Sequence, residues 1–359
     1  MAGREVELIA AATRKYITEN GNPIDNIYGH VAITALLMAK DKLDGDEEKL
    51  KRVRTIDGGR KIVTVLEHVT EASNTQMISK WDTVVWTPKE TITDAEYDWK
   101  NLAQPLVISQ QDILMIKGQP ARIENYVKTK IRGMWKSART SMNTQLHALS
   151  PGSDDFNSLP YFMHKTPSTG TTPSGTIGGI LQTSAINAFW RNTTATSTGT
   201  SYQLIMDEIY GARLNASNTA AGDAPDIGVC GQKTFEYIHR YRVAKGTHNF
   251  VPSQVANMLG WDETQIVRLF GMDVIWDSGV LDLSAGSGTS EDTFYGINSD
   301  YFFFAVHEDR NMEVSSEIDF MKTKGQDAIG FVLQAMGNFC CSNRKKQFVL
   351  HGIPKNTTS

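Results

Sequence analysis

The chain has 359 residues, enough for one large or two ordinary domains with cores of their own, and its 40% hydrophobic and 21% charged content argues against disorder throughout. Its 36 Lys+Arg against 40 Asp+Glu leave a formal net charge of −4, without the cationic surplus that tight nucleic-acid binding by counterion release draws on. Three cysteines, two of them neighbours at Cys340 and Cys341, are too few for a disulfide scaffold and match no zinc spacing, so a reducing compartment such as bacterial cytoplasm is expected.

Arg4, Glu5 and Glu7 interrupt the start too early for a signal peptide, and no run approaches the roughly 18 apolar residues of a membrane span. Val6, Ile9, Ala10, Thr13, Tyr16 and Ile17 recur at helical spacing over residues 4–18, and Asn20-Gly21-Asn22-Pro23 stops that helix. A short apolar stretch at 33–38 and a solvated run at 41–54 follow, then a turn at Ile56-Asp57-Gly58-Gly59. Alternating residues from Lys61 to Val69, a turn-rich tip at 71–75 and a returning segment from Met77 to Trp86 predict an antiparallel hairpin with arms of roughly 30 Å. A lone two-stranded ribbon is marginal in water. Trp81, Val85 and Trp86 therefore need a cover, and a partner supplies it at least as well as the chain itself. Asp94, Glu96 and Asp98 alternate on an extended segment, as a solvated acidic edge does.

Ser109 to Lys117 predicts a short helix, with Ser109 as cap, Asp112 completing a box-like pattern and Gly118 ending it. Pro120 then opens a helix in which Ile123, Tyr126, Val127, Ile131, Met134, Trp135, Ala138, Met142, Leu146 and Leu149 recur at steps of three and four. At 1.5 Å per residue it spans on the order of 45 Å. Arg122, Lys128, Lys130, Arg132, Lys136 and Arg139 give it a basic character, read either as a solvated face or as a surface meeting acidic neighbours. Residues 166–176 contain only Ser, Thr, Gly and Pro, a flexible loop, and residues 192–201 are again rich in Ser, Thr and Asn.

A second unit begins near Tyr202 with a helix around Leu204 to Ile209. A buried strand at Pro225 to Cys230, a helix from Lys233 to Arg242, and strands at Val274 to Trp276, Thr293 to Ile297 and Tyr301 to Val306 follow. The segment from Ile329 to Phe339 is apolar, helical or extended, and Phe348 to Ile353 is a last strand. Catalytic motifs are missing: there is no P-loop, G-x-S-x-G, H-E-x-x-H or C-x-x-C, and the eight histidines are scattered. Gly175-Thr176-Ile177-Gly178-Gly179 lacks the spacing of a phosphate cradle. No catalytic, cofactor-binding or metal-ligating residue is assigned, and no enzymatic activity is expected.

The order of these pieces resembles the Hong Kong 97-like capsid fold of tailed phages. Thr93-Asp94-Ala95-Glu96-Tyr97-Asp98-Trp99-Lys100, Leu106-Val107-Ile108-Ser109 and Pro120-Ala121-Arg122-Ile123 resemble the approach to the spine helix in a family of phage major capsid proteins. Ile177-Gly178-Gly179-Ile180 followed by Phe189-Trp190-Arg191-Asn192 resembles the linker after that helix, and Asp57-Gly58-Gly59-Arg60 the entry to its extended loop. These phrases cover roughly residues 55–192. The resemblance implies an α+β subunit with an N-terminal arm (1–55), an extended β-hairpin loop (56–92), a peripheral domain (93–200) with spine helix 120–149, an axial domain (201–310), and a return to the peripheral domain (311–359).

By that resemblance the chain is a structural subunit that associates with itself in hexamers and pentamers of an icosahedral head enclosing double-stranded DNA, assembled in the host bacterial cytoplasm and found in the virion. Trp81, Val85 and Trp86 on the loop and Arg122, Arg132 and Arg139 on the spine are then the expected inter-subunit contacts. The implied partners are a portal, a decoration protein and weakly held DNA. Some relatives carry a cleaved N-terminal scaffolding segment; here the arm starts almost at Met1, so scaffolding is expected from a separate protein. Lys61, Lys80 and Lys89 lie in or near the loop, yet no partner for a Lys–Asn cross-link is identifiable and none is expected. The competing readings are an encapsulin-like shell, an α/β enzyme built on residues 202–310, and a tail or decoration protein.

Overall fold

A computed structural model describes residues 53–68, 76–84, 91–115, 120–171, 174–199, 201–217, 223–245, 266–277, 279–280, 291–315, 318–320 and 325–355. The helix expected at 4–18, the stretch at 33–38, most of the charged run at 41–54, and both Val85 and Trp86 lie outside the described residues. The elements in chain order are β1 (Val53–Ile56), β2 (Ile62–Glu67), β3 (Ile92–Tyr97), β4 (Lys100–Ser109), α1 (Gln110–Met115), α2 (Pro120–Leu146), α3 (Leu159–Phe162), β5 (Thr176–Ile177), β6 (Ile180–Leu181), β7 (Thr193–Thr196), α4 (Tyr202–Ser217), β8 (Ile227–Cys230), α5 (Gln232–Ala244), β9 (Ile266–Leu269), β10 (Met272–Trp276), β11 (Glu291–Ile297), β12 (Phe302–His307), β13 (Glu313–Val314), β14 (Ile318–Asp319), β15 (Ala328–Cys341) and β16 (Phe348–Pro354).

The first sheet is organised around β15, whose fourteen residues span about 48 Å at 3.4 Å each. One edge pairs with β4 along its length, from Ala328↔Ser109 to Gly337↔Lys100; the other takes β12, β13 and β14 in succession, and β1 lies parallel to β12. The apolar segment left as helical or extended is thus a strand, and Val53 and Arg54 leave the solvated run to join a sheet. There the Arg54 guanidinium sits 3.8 Å over the Phe303 ring.

Helix α2 packs across β4. It buries Val127, Ile131, Met134, Trp135, Ala138, Met142 and Leu146, the stripe that a 3.6-residue period lines up. The helix stops at Leu146, three residues before the expected end, where Ala148 N–H turns back to the Gln145 carbonyl and tightens the last turn. At its other end the Ser109 hydroxyl accepts from Gln111 N–H of α1, whereas Asp112 leaves the expected box to accept the Tyr126 hydroxyl of α2 at 2.7 Å.

The second sheet has the order β7-β16-β11-β8-β10-β9. Helices α4 and α5 cover it, burying Ile205, Met206, Ile209, Phe235 and Ile238 against Val267, Val274, Phe294 and Phe348. The hydroxyl-rich stretch after Asn192 supplies β7, parallel to β16, because β-branched threonines suit a half-buried strand. Asp292 of β11 caps α5 from afar: its carboxylate accepts Thr234 N–H at 2.9 Å, and a Cβ at Gly231 would overlap it. Two strands cross the boundaries expected from sequence. β12 falls within residues 201–310 but belongs to the first sheet, and β16 falls within the C-terminal return but belongs to the second. Apolar residues of both sheets, among them Ile108, Leu333, Ile275 and Val349, share one core.

Candidate subunit interface

Strands β2 and β3 form a separate antiparallel ribbon with the register Ile62↔Tyr97 to Glu67↔Ile92. The returning strand is therefore Ile92–Tyr97 and not Met77 to Trp86, of which residues 76–84 form no strand. The physical reason is facial. Ile62 and Leu66 need inward partners, and Ala95 and Tyr97 provide them in register, whereas the apolar residues Met77, Ile78, Trp81 and Val84 fall on both parities and define no single face.

The inner face is anchored to the body. Tyr97 donates its hydroxyl to the Cys341 carbonyl at 2.7 Å, and Glu96 N–H donates to the Gly178 carbonyl at 3.0 Å. That carbonyl belongs to the β5–β6 turn, where Gly178 and Gly179 have φ of 60° and 78°, the two left-handed positions of a type I′ hairpin. The turn presses on the ribbon so closely that a Cβ at Gly178 would lie 3.2 Å from Ala95 and Tyr97. The glycine run thus serves packing in the described structure.

The outer face is uncovered. It presents Val63, Val65 and Ile92 interleaved with Glu67, Asp94 and Glu96. Lys61 pairs with Glu96 at 2.7 Å, and this hydrogen bond raises the exposed Lys61 ammonium above its ordinary pKa. Beyond the ribbon, Ser79 N–H donates to the Asp82 carboxylate at 2.7 Å and Asp82 N–H to the Ser79 carbonyl, closing a tight turn. This turn holds out Met77 at 96% exposure and Trp81 at 87%, with Ile78 and Val84 also exposed. Lys80 lies 5.2 Å over the Trp81 ring. Sequence reasoning had singled out Trp81 but had assigned Met77 and Ile78 to a strand; the Ser79-x-x-Asp82 spacing was the turn signal that separated them.

Of the six expected contact residues, Trp81, Arg132 and Arg139 have described side chains. Trp81 is exposed in the segment between β2 and β3, and Val85 and Trp86 lie outside the described residues. Arg132 is exposed on α2 with Lys130 and Lys136, while the side chain of Arg122 is not among those described. Arg139 is a correction. It is 5% exposed, since it sits four residues after Trp135 and three before Met142, on the buried stripe. The exposed side of α2 carries Ser137, Thr140, Ser141 and Thr144, of which Thr140 and Thr144 bond back to the carbonyls four residues earlier.

Two buried polar sites had no signal in sequence. Arg344, fully buried, donates to the carbonyls of Phe162 and Trp190 at 2.8 Å and to the Gln182 and Asn192 side-chain oxygens at 3.0 and 3.2 Å. Desolvation pushes its pKa down to about 10, leaving it charged at neutral pH. At the end of α2, the Nε2 of buried His147 lies 3.6 Å from the Asp277 carboxylate beyond β10, longer than a hydrogen bond. Burial alone would raise the Asp277 carboxyl; His147, the Gly279 N–H and Asn143 outweigh it and hold the pKa below 3.8. Among the described residues no three His, Cys, Asp or Glu side chains are grouped to hold a metal, and no helix is long and apolar enough to cross a membrane.

No protein-family model matches this chain, and neither does any curated protein sequence. Solved structures do. The capsid asymmetric unit of cyanophage A-1(L) superposes with a TM-score of 0.55 at 12% identity, over 84% of this chain and 90% of that one. A structure from Mycobacterium phage Bobi gives 0.49 at 13% identity, over 86% and 93%. The SrpI encapsulin complex of Synechococcus elongatus PCC 7942 gives 0.47 at 9%, over 86% and 87%. With its two-stranded ribbon, its long helix laid across a sheet built on one extended strand, and its second, helix-covered sheet, the chain has the Hong Kong 97-like capsid fold.

Proposed function

We propose that the chain is the major capsid protein of a tailed bacteriophage, a non-enzymatic subunit that tiles with its own copies into hexamers and pentamers of an icosahedral head around double-stranded DNA. The observation that carries this reading is the exposed apolar segment Met77 to Val84, between the two ribbon strands in sequence, in a chain with a capsid fold. An exposed apolar cluster held out by a turn is stable in water only at a cost, and burying it on a neighbour recovers about 25 cal/mol per Å². A few hundred Å² per contact supplies several kcal/mol before ordering costs. Repeated over several different contacts per subunit, modest affinities add into a lasting lattice. A separate scaffolding protein, a portal and a decoration protein complete the assembly in this reading. The net charge of −4 leaves contact with the packaged DNA weak.

The test is the double variant Trp81→Ala/Trp86→Ala. The dispersed subunit keeps its circular dichroism and unfolding midpoint, while electron microscopy finds no closed shells. Normal particles from that variant would end the proposal. Nucleic acid rather than protein inside wild-type particles separates a phage head from an encapsulin-like compartment.

A further inference from the structure

We infer that His147 and Asp277 form a proton-operated clasp between α2 and the second sheet, open in this structure and closed when the imidazole is protonated. The clasp lies within one chain and needs no partner copy, so it stands or falls separately from the capsid reading. His147 follows the last turn of α2, the helix laid across the first sheet, and Asp277 follows β10 of the second. Both are buried, at 2% and 8% exposure.

The geometry is one short step from a satisfied one. Asp277 Oδ1 is occupied, accepting the Gly279 N–H at 2.8 Å and the Asn143 amide at 3.2 Å. That leaves Oδ2, which lies 3.6 Å from His147 Nε2. Neither ring nitrogen has a hydrogen-bond partner among the described residues, and Asn143 Oδ1 has none either. Buried polar atoms without partners are rare in folded proteins and ask for a reason. Gly279 allows the close approach, because a Cβ there would lie 2.6 Å from His147 Cδ2. Closing the gap by about 0.7 Å turns the contact into a hydrogen bond of ordinary length.

A neutral ring can offer an Nε2–H, but it leaves the buried carboxylate uncompensated. A proton taken from solvent makes both nitrogens donors and sets a cation against the anion, which shortens and strengthens the bond. Histidine is the side chain that changes charge between about pH 5 and 8. Burial raises the Asp277 carboxyl, yet His147, the Gly279 N–H and Asn143 outweigh it and keep it below 3.8, so mild acid leaves it ionised. Other charges stand off. Arg139 is two turns back on α2, about 12 Å along the axis, and Asp155 in the turn that follows accepts the Gly152 N–H. Closing therefore ties the end of α2 to the second sheet in mild acid, and loss of the proton releases it.

Hydrogen exchange of the full-length dispersed subunit tests this, read by mass spectrometry at about pH 5.5 and about pH 8 and corrected for intrinsic rates. The amides of His147, Ala148 and Val280 donate to the carbonyls of Asn143, Gln145 and Asp277 beside the clasp. Peptides carrying them should gain about tenfold in protection at the lower pH, the change that one hydrogen bond to a charged group corresponds to. Peptides from β4 should keep theirs. His147→Gln and Asp277→Asn should each flatten the response. No gain in the wild-type chain, an equal gain in β4, or a gain that survives His147→Gln each overturns the inference. The wild-type comparison decides alone if either variant fails to fold.

Discussion

Arg344 has no carboxylate among its hydrogen-bond partners, yet four neutral oxygens surround its guanidinium in the interior. Buried cations are tolerated only when their donors are satisfied. Arg344→Leu should therefore strip four buried acceptors at once and cost about 3–5 kcal/mol in urea unfolding of the dispersed subunit, with Arg344→Lys recovering only part. None of this was legible in sequence. Arg344-Lys345-Lys346 reads as a solvated basic turn, and its partners lie more than 150 residues away. Asp277 is similar, a lone acid after a strand until folding brings His147 to it. Its carboxyl pKa is depressed in the folded state, so its contribution is present above the ordinary 3.8 and is lost as pH falls through the folded value. Asp277→Asn should lower the melting temperature at pH 7, and the gap to wild type should narrow below about pH 4; a gap that does not depend on pH would contradict the assignment. The cysteines were readable as free thiols. Their burial, which lifts Cys341 to about 12, predicts that a thiol reagent labels none of the three before unfolding and all three after it.

Elements with a strict period were the legible ones. Helix α2 was evident because its apolar residues keep a 3.6-residue step for 27 residues, and β12 because Phe302 to Val306 is continuously apolar, as a strand flanked on both edges is. Helical period also explains Arg139, which groups with the basic residues by charge but lies on the buried stripe by position. The ribbon was harder. Its return strand, Ile92–Tyr97, alternates acids outward with Ala95 and Tyr97 inward, so the acids were noticed and the pairing was not. The Gly178-Gly179 turn packs against the ribbon's inner face and accepts the Glu96 N–H. Gly178→Ala should cost about 1–2 kcal/mol, from a left-handed backbone plus the press on Ala95 and Tyr97. Gly179→Asn should cost much less, because nothing lies within 4 Å and Asn accepts that backbone. Equal losses in thermal unfolding would place the constraint elsewhere.

For the whole molecule, two sheets are tied by strands that the linear order hides. The C-terminal segment gives β15 to one sheet and β16 to the other, so a boundary drawn from composition alone cannot separate them. The result is two sheets around a common core with the apolar residues Met77, Ile78, Trp81 and Val84 left exposed, and in the proposed function another copy covers them. Oxidative footprinting of Met77 and Trp81, read by mass spectrometry in dispersed subunits and in assembled material, tests this most directly. Both residues should oxidise freely when dispersed and become protected about tenfold or more on assembly. Unchanged oxidation of both in intact particles would contradict it.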